Sequence, residues 1–222
     1  MKEKIVQTAV GITIIAAGRS RSKQITKSLE FAPFLLAADG GAKKALKYGT
    51  VPDAIIGDFD SMKLADLPID PERFYQIFEQ DSTDFEKCLY SLDAPFVIAH
   101  GVTGSRLDHS LAAMTAICKF RNVALIVVSG KDIIFLCPSE LSLTLPKGTR
   151  LSLFPMGEVS GTAQGLEYPI DGIKFAPDGL IGTSNRTKGG VTTLGFDAPR
   201  MLVILPWKHL GIAVSALSSK TT

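Results

Sequence analysis

Short apolar runs that stop at a glycine or an acidic residue recur through the first 138 residues of this chain, and they restrict it to an α/β fold. Strands of a parallel sheet are buried on both faces, so they read as near-continuous apolar runs, and ligands bind just beyond their carboxyl ends. Residues 12–17 run into Gly18-Arg19-Ser20, and residues 34–38 into Asp39-Gly40-Gly41. Residues 52–56 deliver Gly57-Asp58-Phe59-Asp60-Ser61, residues 73–78 lead to Glu79-Gln80-Asp81-Ser82-Thr83-Asp84, and residues 95–100 open into a glycine-bearing loop from Gly101 to His109. Helical stretches lie between them: residues 22–29, residues 42–48 stopped by Gly49, and two longer ones after Thr83 and Arg106.

The strand ends carry the chemistry. Asp58 and Asp60 stand one residue apart after a buried strand, with Gly57 to turn the backbone and Ser61 to cap the next element. Two carboxylates so placed suit Mg²⁺ beside a phosphate, and they equally describe a solvated acidic loop. Gly40 and Gly41 at a helix start let a phosphate approach backbone N–H groups, or simply make a turn. Thr83 with Glu86 is a capping-box pattern, which puts Asp84 in a helix's first turn, where it and Asp81 also complement the dipole. Phe85, Cys88, Leu89 and Leu92 recur at helical spacing after it. Arg106 offers a planar cation for phosphate or a salt bridge to Asp108. The helix after it shows Leu107, Leu111, Met114 and Cys118 on one face and ends near Phe120.

After Pro138 the helical period disappears. Leu141, Leu143 and Leu145 alternate with polar residues, as do Leu151 and Leu153. Turns at Pro146-Lys147-Gly148, Met156-Gly157-Glu158 and Pro177-Asp178-Gly179 are spaced as in a sandwich. The expected architecture is a Rossmann-like α/β domain with a mainly parallel sheet over residues 1–138, followed by an antiparallel β-sandwich domain over residues 139–222. Its last stretch, 207–222, reads as a partly apolar tail that frays into Ser, Lys and Thr.

Composition narrows the partners. The 24 basic and 22 acidic residues are well mixed and leave a net charge of +2, so no basic tract points to nucleic acid or a membrane surface and anion binding has to be local. Cys88, Cys118 and Cys137 sit in apolar segments without metal-type spacing and read as core thiols of a reducing, cytoplasmic compartment. His100, His109 and His209 are isolated, which argues against zinc. Lys2 and Lys4 before the apolar stretch 5–17 give the outline of a signal peptide, against which Glu3 and Gln7 stand. No apolar run approaches the ~20 residues that span a bilayer.

Taken in order, Ala38-Asp39-Gly40-Gly41, Pro52-Asp53 with Gly57-Asp58-Phe59-Asp60-Ser61, Asp81-Ser82-Thr83-Asp84 with Lys87, Gly104-Ser105-Arg106-Leu107-Asp108-His109, and Gly182-Thr183-Ser184-Asn185 resemble the thiamin pyrophosphokinase family. Gly165-Leu166-Glu167-Tyr168-Pro169 fits its second domain, and the resemblance spans residues 12–206. It implies a thiamine diphosphokinase that moves the whole diphosphate of ATP to the hydroxyethyl oxygen of thiamine and releases AMP. It further implies a homodimer with active sites at the subunit interface, ATP as co-substrate and Mg²⁺ as cofactor. By the same resemblance Asp58, Asp60 and Asp84 serve Mg²⁺ with Asp81 close by. Asp39, Lys87, Arg106 and Asp108 line the nucleotide and phosphate region within motifs that include Gly40, Gly41, Thr83, Gly104 and His109. Ser184 and Asn185 lie at the thiamine end.

Three positions depart from the family pattern: Glu79 where Asp is more usual, Ser105 for a glycine, and Arg186 where an acidic residue is common. The chemistry asks for cation clamps on a triphosphate and an aligned alcohol, which is mostly positioning and electrostatics. Two rivals share some of these residues. Asp58-Phe59-Asp60 fits the Asp-x-Asp pattern of metal-dependent sugar-nucleotide transferases, and a non-catalytic nucleotide or thiamine-diphosphate sensor could keep the same site.

Overall fold

The computed structural model describes residues 4–60 and 67–218. Ser61, expected to act as a cap, lies outside the described residues, as do Lys2 and Glu3 of the leader-like start. Met1–Ala116 with Asn122–Gly130 form one compact unit, and Ile117–Arg121 with Lys131–Thr222 form a second.

The first unit runs β1 (Val6–Gln7), β2 (Ile12–Ile15), α1 (Ser22–Leu29), β3 (Phe34–Ala38), α2 (Gly41–Lys47), β4 (Ala54–Gly57), β5 (Phe74–Gln76), α3 (Asp84–Ser91), β6 (Leu92–Asp93), β7 (Val97–His100), α4 (Leu107–Lys119, counted with the second unit from Ile117 on) and β8 (Leu125–Ser129). The strands β8-β7-β2-β3-β4-β5 lie side by side in that order, every neighbouring pair parallel. The chain steps outward from β2 through β3, β4 and β5, then returns to the other side of β2 to lay down β7 and β8. The β2–β7 pair is therefore the switch point, the place where an open α/β sheet leaves a crevice at its carboxyl edge. Every residue of β2, β4 and β7 is buried, which is why these strands read as near-continuous apolar runs, broken only by Thr13 and His100.

Ile15, Ile25, Leu35, Ala37, Ala42, Ala45, Ile55 and Phe59 pack into one core on a single face of the sheet. The alanines there are what brings α2 close. A Cβ built on Gly41 would lie 1.9 Å from the Ile15 carbonyl oxygen, so only glycine lets α2 start against the end of β2.

Two readings of the first unit change. The apolar stretch from residue 5 to 17 supplies both β1 and β2, with β1 pairing in parallel with β6. In α4 the expected face of Leu107, Leu111, Met114 and Cys118 is not the buried one. Leu107 and Leu111 are 76% and 60% exposed, whereas Ala113, Ala116 and Ile117 are buried. Two of these three are alanines, which carry little weight in a hydropathy period, so the periodicity points to the leucines instead.

The second unit continues with β9 (Asp132–Leu136), β10 (Glu140–Leu145), β11 (Arg150–Pro155), β12 (Val159–Gln164), β13 (Lys174–Phe175), β14 (Gly182–Arg186), β15 (Gly190–Phe196), β16 (Met201–Pro206) and α5 (Leu210–Ser218). Two antiparallel layers form, β14-β11-β16-β9 and β10-β15-β12-β13. Leu141, Leu143 and Leu145 point inward at alternate positions of β10, as the sequence pattern required. Phe175 of one layer approaches Gly182 of the other, where an added Cβ would lie 3.5 Å from its ring.

The tail departs from expectation. After a 3-10 turn at Trp207–His209 the chain forms α5, which buries Leu210, Ala213, Val214 and Leu217. Leu-Gly-Ile-Ala-Val-Ser-Ala-Leu has almost no polar face, so no amphipathic period announces the helix.

Candidate active site

At the carboxyl edge of the first sheet a cleft of about 600 Å³ opens over the switch point. Ala16–Gly18 after β2 and Gly101–Thr103 after β7 form its floor, while Asp39, Asp58 and Asp60 reach it from β3 and β4. The Gly18 N–H donates to the Gly101 carbonyl over 2.8 Å. Gly101 has φ +72, and a Cβ on it would meet the Ala16 carbonyl oxygen at 2.4 Å, so the two loops touch through backbone alone.

The charged centre is a lysine. Lys87, one turn into α3, is 1% exposed, and its Nζ lies 2.9 Å from Asp58 Oδ2 and 3.2 Å from Asp84 Oδ1. A buried ammonium is sustained only by such pairing. Burial by itself pulls the Lys87 pKa down, but the hydrogen bonds and charges of Asp58 and Asp84 outweigh it and carry it above the ordinary lysine value. The Lys87 hydrogen bond holds the Asp58 carboxyl below its usual range. Burial pushes Asp84 the other way, with Lys87 pulling against it. The pair thus splits into a carboxylate secured in its charged form and one that gains from any further cation nearby.

Local structure fixes these groups. Thr83 caps α3: its Oγ1 accepts the Glu86 N–H while the Glu86 carboxylate accepts the Thr83 N–H, the capping box the sequence showed. That box sets Asp84 in the first turn and Lys87 one turn on. Phe59 separates the two carboxylates by turning inward, with its ring edge-on to Phe74 at 5.7 Å. Among the described residues the non-glycine positions with positive φ are Asp39, Phe59 and Ser184. All three fall inside motifs singled out from sequence, and left-handed backbone at such residues is held only where the surroundings over-determine it.

The expected residues do not all meet. Asp39, Gly40, Asp58, Asp60, Thr83, Asp84, Lys87, Arg106 and His109 line the cleft; Gly41, Asp81, Gly104 and Asp108 are not among its lining residues. Arg106 pairs with Asp108 through both guanidinium and carboxylate, 3.1 Å at its Nε, so the salt-bridge alternative is the one seen. Ser105, in place of a glycine, accepts the Arg19 N–H at 3.1 Å and ties the β2 and β7 loops together. Asn185 is buried in the second unit, and both ends of its amide are engaged: Nδ2 donates to the Tyr168 carbonyl at 2.7 Å, and Oδ1 accepts the Tyr168 and Arg186 N–H groups. Ser184 beside it is exposed.

Two participants escaped the sequence reading. Gln80 donates from Nε2 to Asp58 Oδ2 at 3.2 Å, the same oxygen that Lys87 uses. Lys44 donates to the Ala17 carbonyl at 2.7 Å and also to that of Gly18, holding the floor of the cleft. The only signal for Lys44 was its place one turn into the helix that begins at Gly41.

Divalent metal fits this donor set. Asp58 and Asp84 already converge on one cation position, occupied by the Lys87 ammonium, and they present hard oxygen ligands. The three carboxylates do not close into a cage: no cluster of three or more His, Cys, Asp or Glu is found among the described residues, and Asp60 stands exposed at the rim. Mg²⁺ needs no such cage, since it keeps waters and takes phosphate oxygens alongside one or two carboxylates.

The catalytic-domain model of thiamin pyrophosphokinase matches residues 25–128, and the vitamin B1 binding domain model of thiamin pyrophosphokinase matches residues 137–201. Thiamine pyrophosphokinase 1 of Oryza sativa subsp. japonica is 29% identical over 173 residues, covering 69% of this chain and 65% of that protein. The chain thus spans about two thirds of the length of that relative. Thiamine pyrophosphokinase 2 of Arabidopsis thaliana is 25% identical over 225 residues, 83% of this chain and 82% of its own. Among solved structures, the thiamin pyrophosphokinase from Geobacillus thermodenitrificans superposes with a TM-score of 0.74 at 21% identity, covering 89% of this chain and 97% of that one.

Proposed function

The chain belongs to the thiamin pyrophosphokinase family, and from that premise we propose that it acts as a thiamine diphosphokinase, converting ATP and thiamine to AMP and thiamine diphosphate. The observation that carries the reading is the buried Lys87 ammonium between Asp58 and Asp84, set in a cleft at the switch point of a parallel sheet. Such a cluster offers both a metal-binding face and a fixed positive charge for a phosphate chain.

In this reading Asp58 and Asp84 hold Mg²⁺, with Asp60 contributing from the rim. The metal supplies neutralisation of the charge that builds on the leaving AMP. Lys87 and Arg106 face the transferred diphosphate, the latter after exchanging Asp108 for phosphate oxygens. Asp39 and the Gly40-Gly41 backbone border the nucleotide. The second unit provides the thiamine end: Asn185 shapes the Tyr168 segment, and the Ser184 hydroxyl is left to meet the substrate. We place two such sites across a homodimer and the reaction in the cytoplasm. The thiols of Cys88, Cys118 and Cys137 suit that compartment, and no helix among the described residues is long and apolar enough to cross a membrane.

The test is incubation of the purified chain with ATP, Mg²⁺ and thiamine. AMP and thiamine diphosphate should accumulate together. Neither the sugar-nucleotide reading nor the sensor reading is favoured by the family matches. Hydrolysis of a sugar nucleotide, or tight thiamine diphosphate binding without turnover, would replace the proposal with one of them.

A further inference from the structure

Glu79 opens the second acidic cluster. It is absent from the lining of the cleft, and its two oxygens are occupied by its own neighbourhood. Oε2 accepts the backbone N–H of Asp81 at 2.7 Å and of Ser82 at 3.1 Å. Oε1 accepts the Tyr90 hydroxyl at 2.9 Å and also the Ser82 hydroxyl. Tyr90 stands near the far end of α3, two turns from the capping box, so one carboxylate ties the loop at residues 80–83 to the body of the helix it precedes.

The cargo of that loop makes the tie consequential. Gln80 donates to Asp58 Oδ2, Ser82 and Thr83 line the cleft, and Thr83 caps the helix that delivers Asp84 and Lys87. Glu79 thus holds Asp81 and Ser82, the segment between Gln80 and the Thr83 cap, against Tyr90 of the helix that carries Asp84 and Lys87. Reach matters too. Two amide donors on one side and a tyrosine hydroxyl on the other are bridged by a side chain with three torsions, and an aspartate is one methylene shorter.

We infer that Glu79 is a positioning residue, not a metal ligand: with Tyr90 it fixes the 80–83 loop so that Gln80, Asp84 and Lys87 present a formed site to a metal-bound nucleoside triphosphate. This rests on the diphosphokinase reading above for its kinetic arm, while its structural arm stands without any activity.

The experiment uses the full chain and three variants: Glu79→Gln, Glu79→Asp and Tyr90→Phe. Hydrogen exchange is read at the amides of Asp81 and Ser82, and binding of Mg²⁺·ATP and of Mn²⁺ alone is read by calorimetry, beside KM and kcat. Glu79→Gln trades the charge-assisted hydrogen bond at each amide for a weaker neutral one, which predicts exchange about tenfold faster there. Mg²⁺·ATP affinity and its KM should weaken by about tenfold, with the thiamine KM moving less than about twofold. Tyr90→Phe, which only removes a hydroxyl and so keeps the fold, should give the same pattern in smaller measure, and Glu79→Asp should fall between Glu79→Gln and the parent chain. Mn²⁺ affinity in the absence of nucleotide should stay within about twofold, because Glu79 donates nothing to the metal.

Unchanged exchange at Asp81 and Ser82 in Glu79→Gln overturns the proposal. So does faster exchange with unchanged Mg²⁺·ATP affinity, since the loop would then position nothing. A large loss of Mn²⁺ affinity with unchanged exchange overturns it in favour of direct ligation. If the parent chain shows no turnover with thiamine, exchange and calorimetry still decide the point, so failure of the proposed function is distinguishable from failure of this one.

Discussion

Asp58, Lys87 and Asp84 form a unit in which each charge is tolerable only because of the others. Removing the cation leaves two carboxylates facing one another in a partly buried cleft, and removing Asp58 leaves the 1%-exposed ammonium with one partner. Asp58→Asn should lower kcat/KM by about 10² or more, roughly 3 kcal/mol of transition-state stabilisation, in a chain that still folds. Near-normal kinetics from the folded variant would remove Asp58 from the site. A second titratable residue acts on stability alone. His100 at the end of β7 is buried, with its Nε2 2.8 Å from Ser28 Oγ, and burial drives its pKa down to about 3. The native ring stays neutral while the unfolded chain takes up a proton below about 6.5, so stability falls as pH drops from there toward 3. At pH 4.5 the penalty is roughly 2–3 kcal/mol by this linkage. In His100→Gln the pH 7 to pH 4.5 decline in unfolding free energy should be shallower by about that amount; an equally steep decline would show the ring is protonated in the folded state. The places of Asp39, Asp58, Asp60 and Asp84 were readable because carboxylates after apolar runs are conspicuous, whereas Asp81, conspicuous in the same way, does not line the cleft. Gln80 was not readable, since an amide carries no charge signal and its partner Asp58 lies 22 residues away in sequence.

At the scale of elements, local chemistry was legible and packing was not. The Thr83–Glu86 box is written within four residues and appears as read. Thr83→Ala should cost about 1 kcal/mol in urea unfolding, and because the cap also sets the direction of α3, it should weaken Mg²⁺·ATP binding. A variant as stable as the parent would reduce the box to a chance geometry around a helix that needs no cap. The exposed Leu107 and Leu111 of α4 show the opposite case. The buried residues of α4 include Ala113, Ala116 and Ile117, and the leucines that dominate its hydropathy pattern lie outside. α5 was invisible for a related reason, its apolar residues being spread round the whole helix. Likewise Gly18 and Gly101 punctuate strands in sequence, but only the crossover to β7 brings their loops into contact.

For the whole molecule, the change from helical to alternating periodicity after Pro138 announced an α/β part and a β part, because side-chain period tracks element type directly. The strand order was beyond it. Nothing local dictates that β7 returns beside β2, yet that return makes the cleft. The proposed homodimer has its own test. Asn185 spends its amide on Tyr168, so Asn185→Ala should loosen the thiamine end and raise the thiamine KM by about tenfold while ATP affinity holds. Mixing that variant with Asp58→Asn should then restore part of the activity if subunits share sites, and no recovery after demonstrated exchange would mean each chain completes its own. Transfer of a diphosphate as one group is read from the ³¹P products formed from ATP, Mg²⁺ and thiamine by the purified chain. AMP and thiamine diphosphate should appear in equal amounts from the first turnover, with no ADP. ADP with thiamine monophosphate, or AMP with free pyrophosphate and unchanged thiamine, would contradict it.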